Sequence, residues 1–278
     1  KVCIRQRIEG SNPFLSAKKI KILCIVCIEF FDLKYHLIVS KPFQFKEFTI
    51  HQDASAMKIG TDGVLLGAWC SVKDFPNSIL DIGAGTGVVS LMLAQRSDAM
   101  TIDAVELDEN AYTQTVENFE RSNWGDRLYC YHSSFQEFAN EIAADHETYD
   151  LIVSNPPFYT DGFETKNSAR NKARSTSFLP FEELVKGVVN IISQNGKFVV
   201  ILPFIEEDNF INLAAKNKLF LNRVCRVQGN VSSEIKRSLL EFSLKQTTIK
   251  EEHLIIELAR HQYTEAYVNL TKDFYLKM

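Results

Sequence analysis

The feature that most constrains the fold is a strand, a glycine-rich turn and a helix that follow one another between residues 78 and 94. The strand is apolar apart from Asp81, as expected of a strand that a parallel sheet buries on both faces. The turn carries Gly83, Gly85 and Gly87, and an amphipathic helix follows it. Units of this kind build parallel sheets covered by helices, so the pattern predicts an α/β protein.

Strands and helices alternate along the rest of the chain. The alternation of Phe43, Phe45 and Phe48 with polar residues predicts a short half-buried strand. Because the later alternation is continuous and contains no internal repeat, residues 41–278 are expected to form one doubly wound domain with right-handed crossovers. Further strands are predicted at 100–105, 128–131, 151–153, 197–202, 220–227, 239–244 and 253–258, with helices at 64–69, 135–144, 181–193 and 206–215 and a turn at 195–196.

Residues 1–40 differ from the rest. Their apolar run, residues 20–39, is interrupted by Lys21, Glu29, Asp32 and Lys34, and a membrane-spanning helix would not tolerate charges at that spacing. The uncharged part is too short for a signal peptide. We interpret residues 1–40 as an atypical extension outside the catalytic domain, either an added strand or a poorly ordered segment.

Composition excludes several classes of protein. The net charge of −4 argues against a surface that is basic throughout and binds nucleic acid everywhere. Any contact with RNA must therefore come from local basic patches. Six cysteines are scattered without a disulfide framework or a four-ligand zinc pattern, and Cys24 and Cys27 have no second pair. We therefore expect a reduced cytoplasmic protein that is a monomer and has no metal ion and no membrane contact.

The spacing of the glycines indicates the kind of ligand. Val88 stands where a dinucleotide-binding fingerprint has its third glycine, so the ligand needs close backbone approach without obviously needing a phosphate site. S-adenosylmethionine fits this description, and Asp81 could meet its ammonium group. Glu106, at the end of the next strand and about twenty residues past the turn, could accept hydrogen bonds from both ribose hydroxyls. Asp108 is predicted to cap the following helix.

Two further places could contact the same cofactor. The glycine-flanked loop with Lys58, Thr61 and Asp62 could fold over it; alternatively this is a plain turn in which Asp62 or Thr61 caps the next helix. Ser134 would be placed to meet the adenine edge, although a helix N-cap for residues 135–144 is an equally good interpretation.

The buried strand 151–153 ends at Asn155, Pro156, Pro157 and Phe158. Open α/β sheets bind ligands at this end of their strands. If the Asn155 side-chain oxygen and the Pro156 carbonyl each accept from one N–H of an NH2 group, the nitrogen lone pair is aimed at an electrophile. Phe158 would stack on a planar base, a contact worth roughly 1–3 kcal/mol. The alternative is an ordinary turn.

Two basic segments follow this loop. Residues 159–179 are predicted to form a long loop beside the proposed base pocket, and the sequence has no acid between residues 166 and 177. It is either a contact for substrate phosphates or a solvated run of charge. The loop 228–237 places two more cations just before a closing strand. The candidate phosphate contacts are Lys166, Arg170, Lys172, Arg174, Lys236 and Arg237.

The glycine turn, residues 81–87, together with residues 155–158 resembles the class I S-adenosylmethionine-dependent methyltransferases that act on amino groups. Residues 41–278 more narrowly resemble the bacterial tRNA(Val) adenine-37 N6-methyltransferases, through residues 45–53, 57–69, 236–242 and 270–276. The resemblance implies a Rossmann-like, mostly parallel seven-stranded sheet with helices on both faces and one antiparallel strand near its edge. It also implies tRNA as the partner and an adenine of the anticodon loop as the target.

Three other functions use similar motifs. A protein-glutamine N5-methyltransferase has a similar loop but usually carries Tyr at the position of Phe158. A ribosomal-RNA amine methyltransferase keeps Phe but commonly doubles the domain. A module that binds the cofactor without catalysis is the third.

Overall fold

The computed structural model describes residues 41–55, 58–156 and 179–278 of the chain. The predicted extension, residues 1–40, lies outside the described residues. The strands are β1 (Phe43–Gln44), β2 (Thr49–Ile50), β3 (Ser78–Ile82), β4 (Thr101–Glu106), β5 (Leu128–His132), β6 (Tyr149–Ser154), β7 (Ile192–Pro203), β8 (Phe220–Asn230), β9 (Ile235–Ser243), β10 (Lys250–Ala259) and β11 (Gln262–Tyr263). The helices are α1 (Thr61–Trp69), α2 (Val88–Arg96), α3 (Glu109–Glu120), α4 (Phe135–Ala144), α5 (Phe181–Ile191), α6 (Glu207–Lys216) and α7 (Glu265–Thr271), and a 3-10 turn spans Phe204–Glu206.

Nine strands form one sheet in the order β11-β10-β8-β9-β7-β6-β3-β4-β5. Strands β5, β4, β3, β6 and β7 are parallel, and β9 runs antiparallel to both of its neighbours, β7 and β8. The expected α/β fold with a mostly parallel sheet is therefore confirmed. The part from β5 to β8 is the seven-stranded arrangement with one antiparallel strand, and β10 and β11 extend it at one edge.

Helices cover both faces of the sheet because side chains alternate along each strand. In β3, Ile79 belongs to the core on one face and Leu80 to the core on the other, and both are fully buried. The first core includes residues of α1, α2, α3 and α7, and the second includes residues of α4, α5 and α6. Burial on both faces is why these strands lack polar alternation.

Three local predictions were wrong. Residues 43–48 are not one strand: β1 and β2 are joined by a turn that brings Phe45 and Phe48 into a stack with ring centroids 4.7 Å apart. The predicted turn at residues 195–196 lies within β7, which begins directly after α5. Strand β9 begins at Ile235, so Lys236 and Arg237 lie inside a strand rather than before it. In the described part of the chain, no helix has the length and apolar character needed to cross a membrane.

Candidate active site

The candidate site lies where the carboxyl ends of β3, β4 and β6 meet. Ile82 at the end of β3 pairs with Val105 on β4 and with Ser154 on β6. The glycine turn and the Asn155 loop therefore leave the sheet from adjacent strand ends. The Ser154 side chain is fully buried, and its Oγ donates to the Ile82 carbonyl at 3.0 Å.

The glycine turn has a backbone that other residues rarely adopt. Gly83, Gly85 and Gly87 have φ values of 74°, 62° and 78°, in the left-handed region that favours glycine. A Cβ at Gly83 or Gly85 would have no atom within 4 Å, whereas a Cβ at Gly87 would lie 2.7 Å from Cε1 of Phe119. The first two glycines leave open space for a ligand, and the third allows close packing against α3.

Glu106 supports the glycine turn from β4. Its Oε2 accepts from the Gly85 N–H at 2.8 Å, and its Oε1 accepts from the Asp108 N–H at 2.8 Å. Each carboxylate oxygen has two lone pairs, so the group can still accept from ribose hydroxyls. The predicted cap is confirmed: Asp108 accepts from the Ala111 N–H at 2.9 Å and starts α3.

Asp81 belongs to β3, just before the glycine turn, and is 2% exposed. Its Oδ2 accepts from the Ser90 N–H at 3.1 Å and from the Ser90 hydroxyl at 2.7 Å, which ties β3 to α2. Burial raises the pKa of the Asp81 carboxyl from its ordinary value of 3.8 to about 6, and the Ser90 hydrogen bonds oppose that shift. Sequence reasoning missed Ser90, which no motif marks.

The segment before α1 is held by side chains from elsewhere. Gly60 is the N-cap of α1 and no side chain caps it, so the predicted N-cap at Thr61 or Asp62 was wrong. The reason lies in tertiary contacts: the Asp62 Oδ2 accepts from Nε of Arg237 at 2.8 Å. Gln52, which sequence reasoning also missed, accepts from the Ile59 N–H at 3.0 Å through its side chain. Its carbonyl accepts from Nζ of Lys58.

The structure thus joins Asp62, which was predicted to contact the cofactor, to Arg237, which was predicted to contact RNA. Lys236, next to Arg237, is exposed.

Ser134 has the capping role that was the alternative prediction. Its Oγ accepts from the Glu137 N–H at 3.2 Å at the start of α4 and donates to Oε2 of Glu137 at 3.0 Å. Its contact with an adenine edge stays a prediction. Nearby, at the end of β5, the rings of His132 and Tyr112 stack with centroids 5.2 Å apart. No motif in the sequence predicts this pair.

The acceptor side of the site is described only as far as Pro156. Asn155 is half-buried and Pro156 is buried. Within the described ranges, no group of three His, Cys, Asp or Glu residues could hold a metal ion. The predicted residues outside the described part of the chain are Pro157, Phe158, Lys166, Arg170, Lys172 and Arg174.

Comparisons with known proteins agree with this geometry. Residues 62–202 match the family model of the methyltransferase small domain. A crystal structure described as a predicted O-methyltransferase from Agrobacterium tumefaciens shares the fold, with a TM-score of 0.57 and 16% identity over 77% of this chain and 96% of that one. The fold and the site together define an S-adenosylmethionine-dependent methyltransferase.

Two curated relatives of high sequence identity show to which family of methyltransferases the chain belongs. A protein of Christiangramia forsetii is 52% identical over 86% of this chain and 99% of its own length. One of Flavobacterium johnsoniae is 53% identical over 85% of this chain and 100% of its own length. Both are named tRNA1(Val) (adenine(37)-N6)-methyltransferase. The chain belongs to the family of tRNA1(Val) (adenine(37)-N6)-methyltransferases.

Proposed function

We propose that this chain transfers the methyl group of S-adenosylmethionine to N6 of adenine 37 in the anticodon loop of tRNA(Val). The observation that carries the proposal is the pairing of Ile82 with Ser154, reinforced by their hydrogen bond of 3.0 Å. It sets a turn suited to the methyl donor beside a loop suited to an amine acceptor. The names of the relatives support the choice of substrate.

The residues fit the cofactor. Gly83 and Gly85 present bare backbone to open space, which suits close approach by the methionine part. Glu106 would accept from the ribose hydroxyls and Asp81 would meet the ammonium group, directly or through water. The bound cofactor supplies a methyl group on a sulfonium centre, and the chain has to hold and aim it. The remaining proposed contacts are Lys58, Thr61, Asp62, Gly87, Ser134 and Asn155.

The acceptor chemistry belongs to the loop after β6. The lone pair of an adenine amine is delocalised and barely nucleophilic. Asn155 and Pro156 would each accept from one N6 hydrogen, which concentrates the lone pair and aims it at the methyl group. The ring of Pro157 restricts its φ and would help to orient the loop, and Phe158 would stack on the base.

Proton transfer needs no strong base in this scheme. After N6 is methylated it carries a positive charge, and its proton becomes acidic enough to leave to solvent. Swinging the adenine out of the loop stack costs little because the anticodon loop is already single-stranded.

RNA binding would depend on local cations in a chain of net charge −4. Phosphate contacts weaken with salt, and each removed contact lowers the slope of log K against log salt by about one. We place the enzyme in the cytoplasm as a monomer, where tRNA is its partner. The proposed phosphate contacts are Lys166, Arg170, Lys172, Arg174 and Lys236.

The test is transfer of labelled methyl from S-adenosylmethionine to an unmodified tRNA(Val) transcript, followed by nucleoside analysis. A matched transcript with guanine in place of adenine 37 is the control. N6-methyladenosine in the first transcript and no label in the second would support the proposal. Label found instead in ribosomal RNA or in a protein glutamine would overturn the substrate, and bound cofactor without any transfer would overturn the activity.

A further inference from the structure

We propose that Arg237 is a positioning residue for the cofactor site: it holds the Asp62 carboxylate and, through it, residues 58–62 beside the glycine turn. This differs from the role that the sequence predicted for Arg237, a contact to RNA phosphate. The inference rests on the proposed function, because it takes the glycine turn to be the site of S-adenosylmethionine.

The contact itself spans two distant parts of the chain. Nε of Arg237 on β9 lies 2.8 Å from Oδ2 of Asp62 in the first turn of α1. The side chains are 34% and 26% exposed, so the pair is partly shielded from water. Nη1 of Arg237 also donates to the Lys236 carbonyl at 3.0 Å. The guanidinium therefore has its direction fixed by two acceptors.

Asp62 lies next to the turn that would hold the methyl donor. The following residue, Gly63, packs so closely on α2 that a Cβ there would be 3.2 Å from Cγ1 of Val88. Val88 is the first residue of α2 and comes directly after the glycine turn. A shift of Asp62 would therefore displace Val88 and, with it, the glycine turn that lines the proposed cofactor site.

Arg237 lies further toward the carboxyl edge of the parallel strands than the start of the acceptor loop does. On β7, Val200 pairs with Ser154 of β6, whereas Pro203 pairs with Arg237 of β9. Val200 and Pro203 are three residues apart on β7, so Arg237 lies about 10 Å nearer the carboxyl edge of the sheet than Ser154 does. From there the side chain reaches the N-terminal turn of α1, so the ion pair lies at the mouth of the site.

Contacts on the other face of the sheet hold the backbone at Arg237 in place. The adjacent residue, Ser238, is fully buried, and its hydroxyl donates to the Glu207 carboxylate. The same carboxylate accepts from Nη2 of Arg226 on β8 at 2.7 Å. Because this network locks the start of β9, Arg237 presents its guanidinium to Asp62 from a rigid position, and little side-chain freedom remains to be lost.

The experiment measures binding of S-adenosylmethionine by calorimetry without RNA, and steady-state KM values for cofactor and for tRNA. Arg237→Ala is expected to weaken cofactor binding roughly two- to fivefold, the size expected of an ion pair that is partly exposed to water. The KM for tRNA should not change at saturating cofactor. Arg237→Lys should restore part of the affinity. The double variant with Asp62→Ala should bind cofactor no more weakly than Asp62→Ala alone.

The matched control is Arg121→Ala, which removes an arginine from an exposed ion pair with Glu117 on α3 and should leave all three constants unchanged. A raised KM for tRNA with a shallower salt dependence and unchanged cofactor affinity would overturn the inference in favour of a phosphate contact. A lower melting temperature with unchanged constants would overturn it in favour of a purely structural role. Failure of the wild-type chain to methylate tRNA would overturn the proposed substrate instead, since the binding data do not depend on RNA.

Discussion

The hydroxyl of Ser154 donates a 3.0 Å hydrogen bond to the carbonyl oxygen of Ile82 and joins the last residue of β6 to the last residue of β3. Both strands end at the candidate site, one before the Asn155 loop and the other before the glycine turn. The bond is buried, so water does not compete for it. It therefore fixes the distance between the proposed donor and acceptor sites.

Replacing Ser154 with alanine should lower kcat about tenfold, because a small misplacement of bound groups costs rate. Affinity for the cofactor should change little, since the glycine turn keeps its support from Glu106. The matched control is Ser78→Ala, which removes a hydroxyl that donates to the Thr148 carbonyl at 3.3 Å. That bond lies at the opposite end of these strands, where Ser78 begins β3 and Thr148 directly precedes β6. Equal kcat losses in both variants would contradict a specific role for Ser154.

Replacing Asn155 with alanine should lower turnover by a factor of about 100 or more, because one of two acceptors that orient the amine is lost, by analogy with the loss of one oxyanion-hole donor. The dissociation constant for S-adenosylmethionine should rise by a much smaller factor, because Asn155 is only one of several proposed contacts to the cofactor. Single-turnover methyl transfer and calorimetry measure the two quantities separately. A variant that lost cofactor binding but kept its turnover at saturation would show that Asn155 serves the cofactor alone.

Two alanine substitutions in the glycine turn should impair different properties, Gly87→Ala mainly the stability of the fold and Gly83→Ala mainly the affinity for the cofactor. Gly87→Ala places a Cβ 2.7 Å from the fully buried Phe119 at a φ of 78° and should lower the free energy of unfolding by about 3 kcal/mol. Gly83→Ala meets no atom within 4 Å, so its stability should fall by only about 1 kcal/mol.

The added methyl group of Gly83→Ala would occupy the space reserved for the cofactor, so affinity for S-adenosylmethionine should fall more than the stability does. Denaturant unfolding and cofactor titration distinguish the two variants. The prediction fails if Gly83→Ala binds the cofactor like the wild type, because the open space beside Gly83 would then not belong to the site.

Asp81 should make both stability and cofactor binding depend on pH. Its folded pKa of about 6 lies above its ordinary 3.8, so the folded state binds the proton more tightly. The stability that Asp81 contributes is present in full below pH 3.8 and is lost as the pH rises through about 6. Asp81→Asn has no charge to bury, so its stability relative to the wild type should increase over the same range.

Cofactor affinity should follow the opposite course, because only the ionised carboxylate attracts the ammonium group. Binding to the wild type should tighten as the pH rises through about 6, and binding to Asp81→Asn should lack this step. Thermal unfolding and calorimetry across this pH range test both expectations. Parallel stability curves for the two proteins would show that Asp81 does not titrate there.

Local patterns were enough for much of this protein. The strand, turn and helix around Gly83, the alternation of later elements and the N-cap at Asp108 all follow from short-range rules of burial and hydrogen bonding. The sequence also placed the Asn155 loop and the glycine turn at strand ends, because parallel strands present their carboxyl ends at one edge of a sheet. The resemblance to the family rests on further segments, residues 45–53, 57–69, 236–242 and 270–276.

Tertiary structure alone decided which side chains meet. Asp62 and Arg237 are separated by 175 residues, and nothing local in either segment indicates the other. Asp62 forms an ion pair with Arg237 rather than capping α1, and the third glycine admits Phe119 of α3. Such contacts depend on strand order and register, which are set by the summed packing of the whole sheet. For that reason the sequence determined which elements and motifs this protein has, and only the folded sheet decided which distant residues form and support the site.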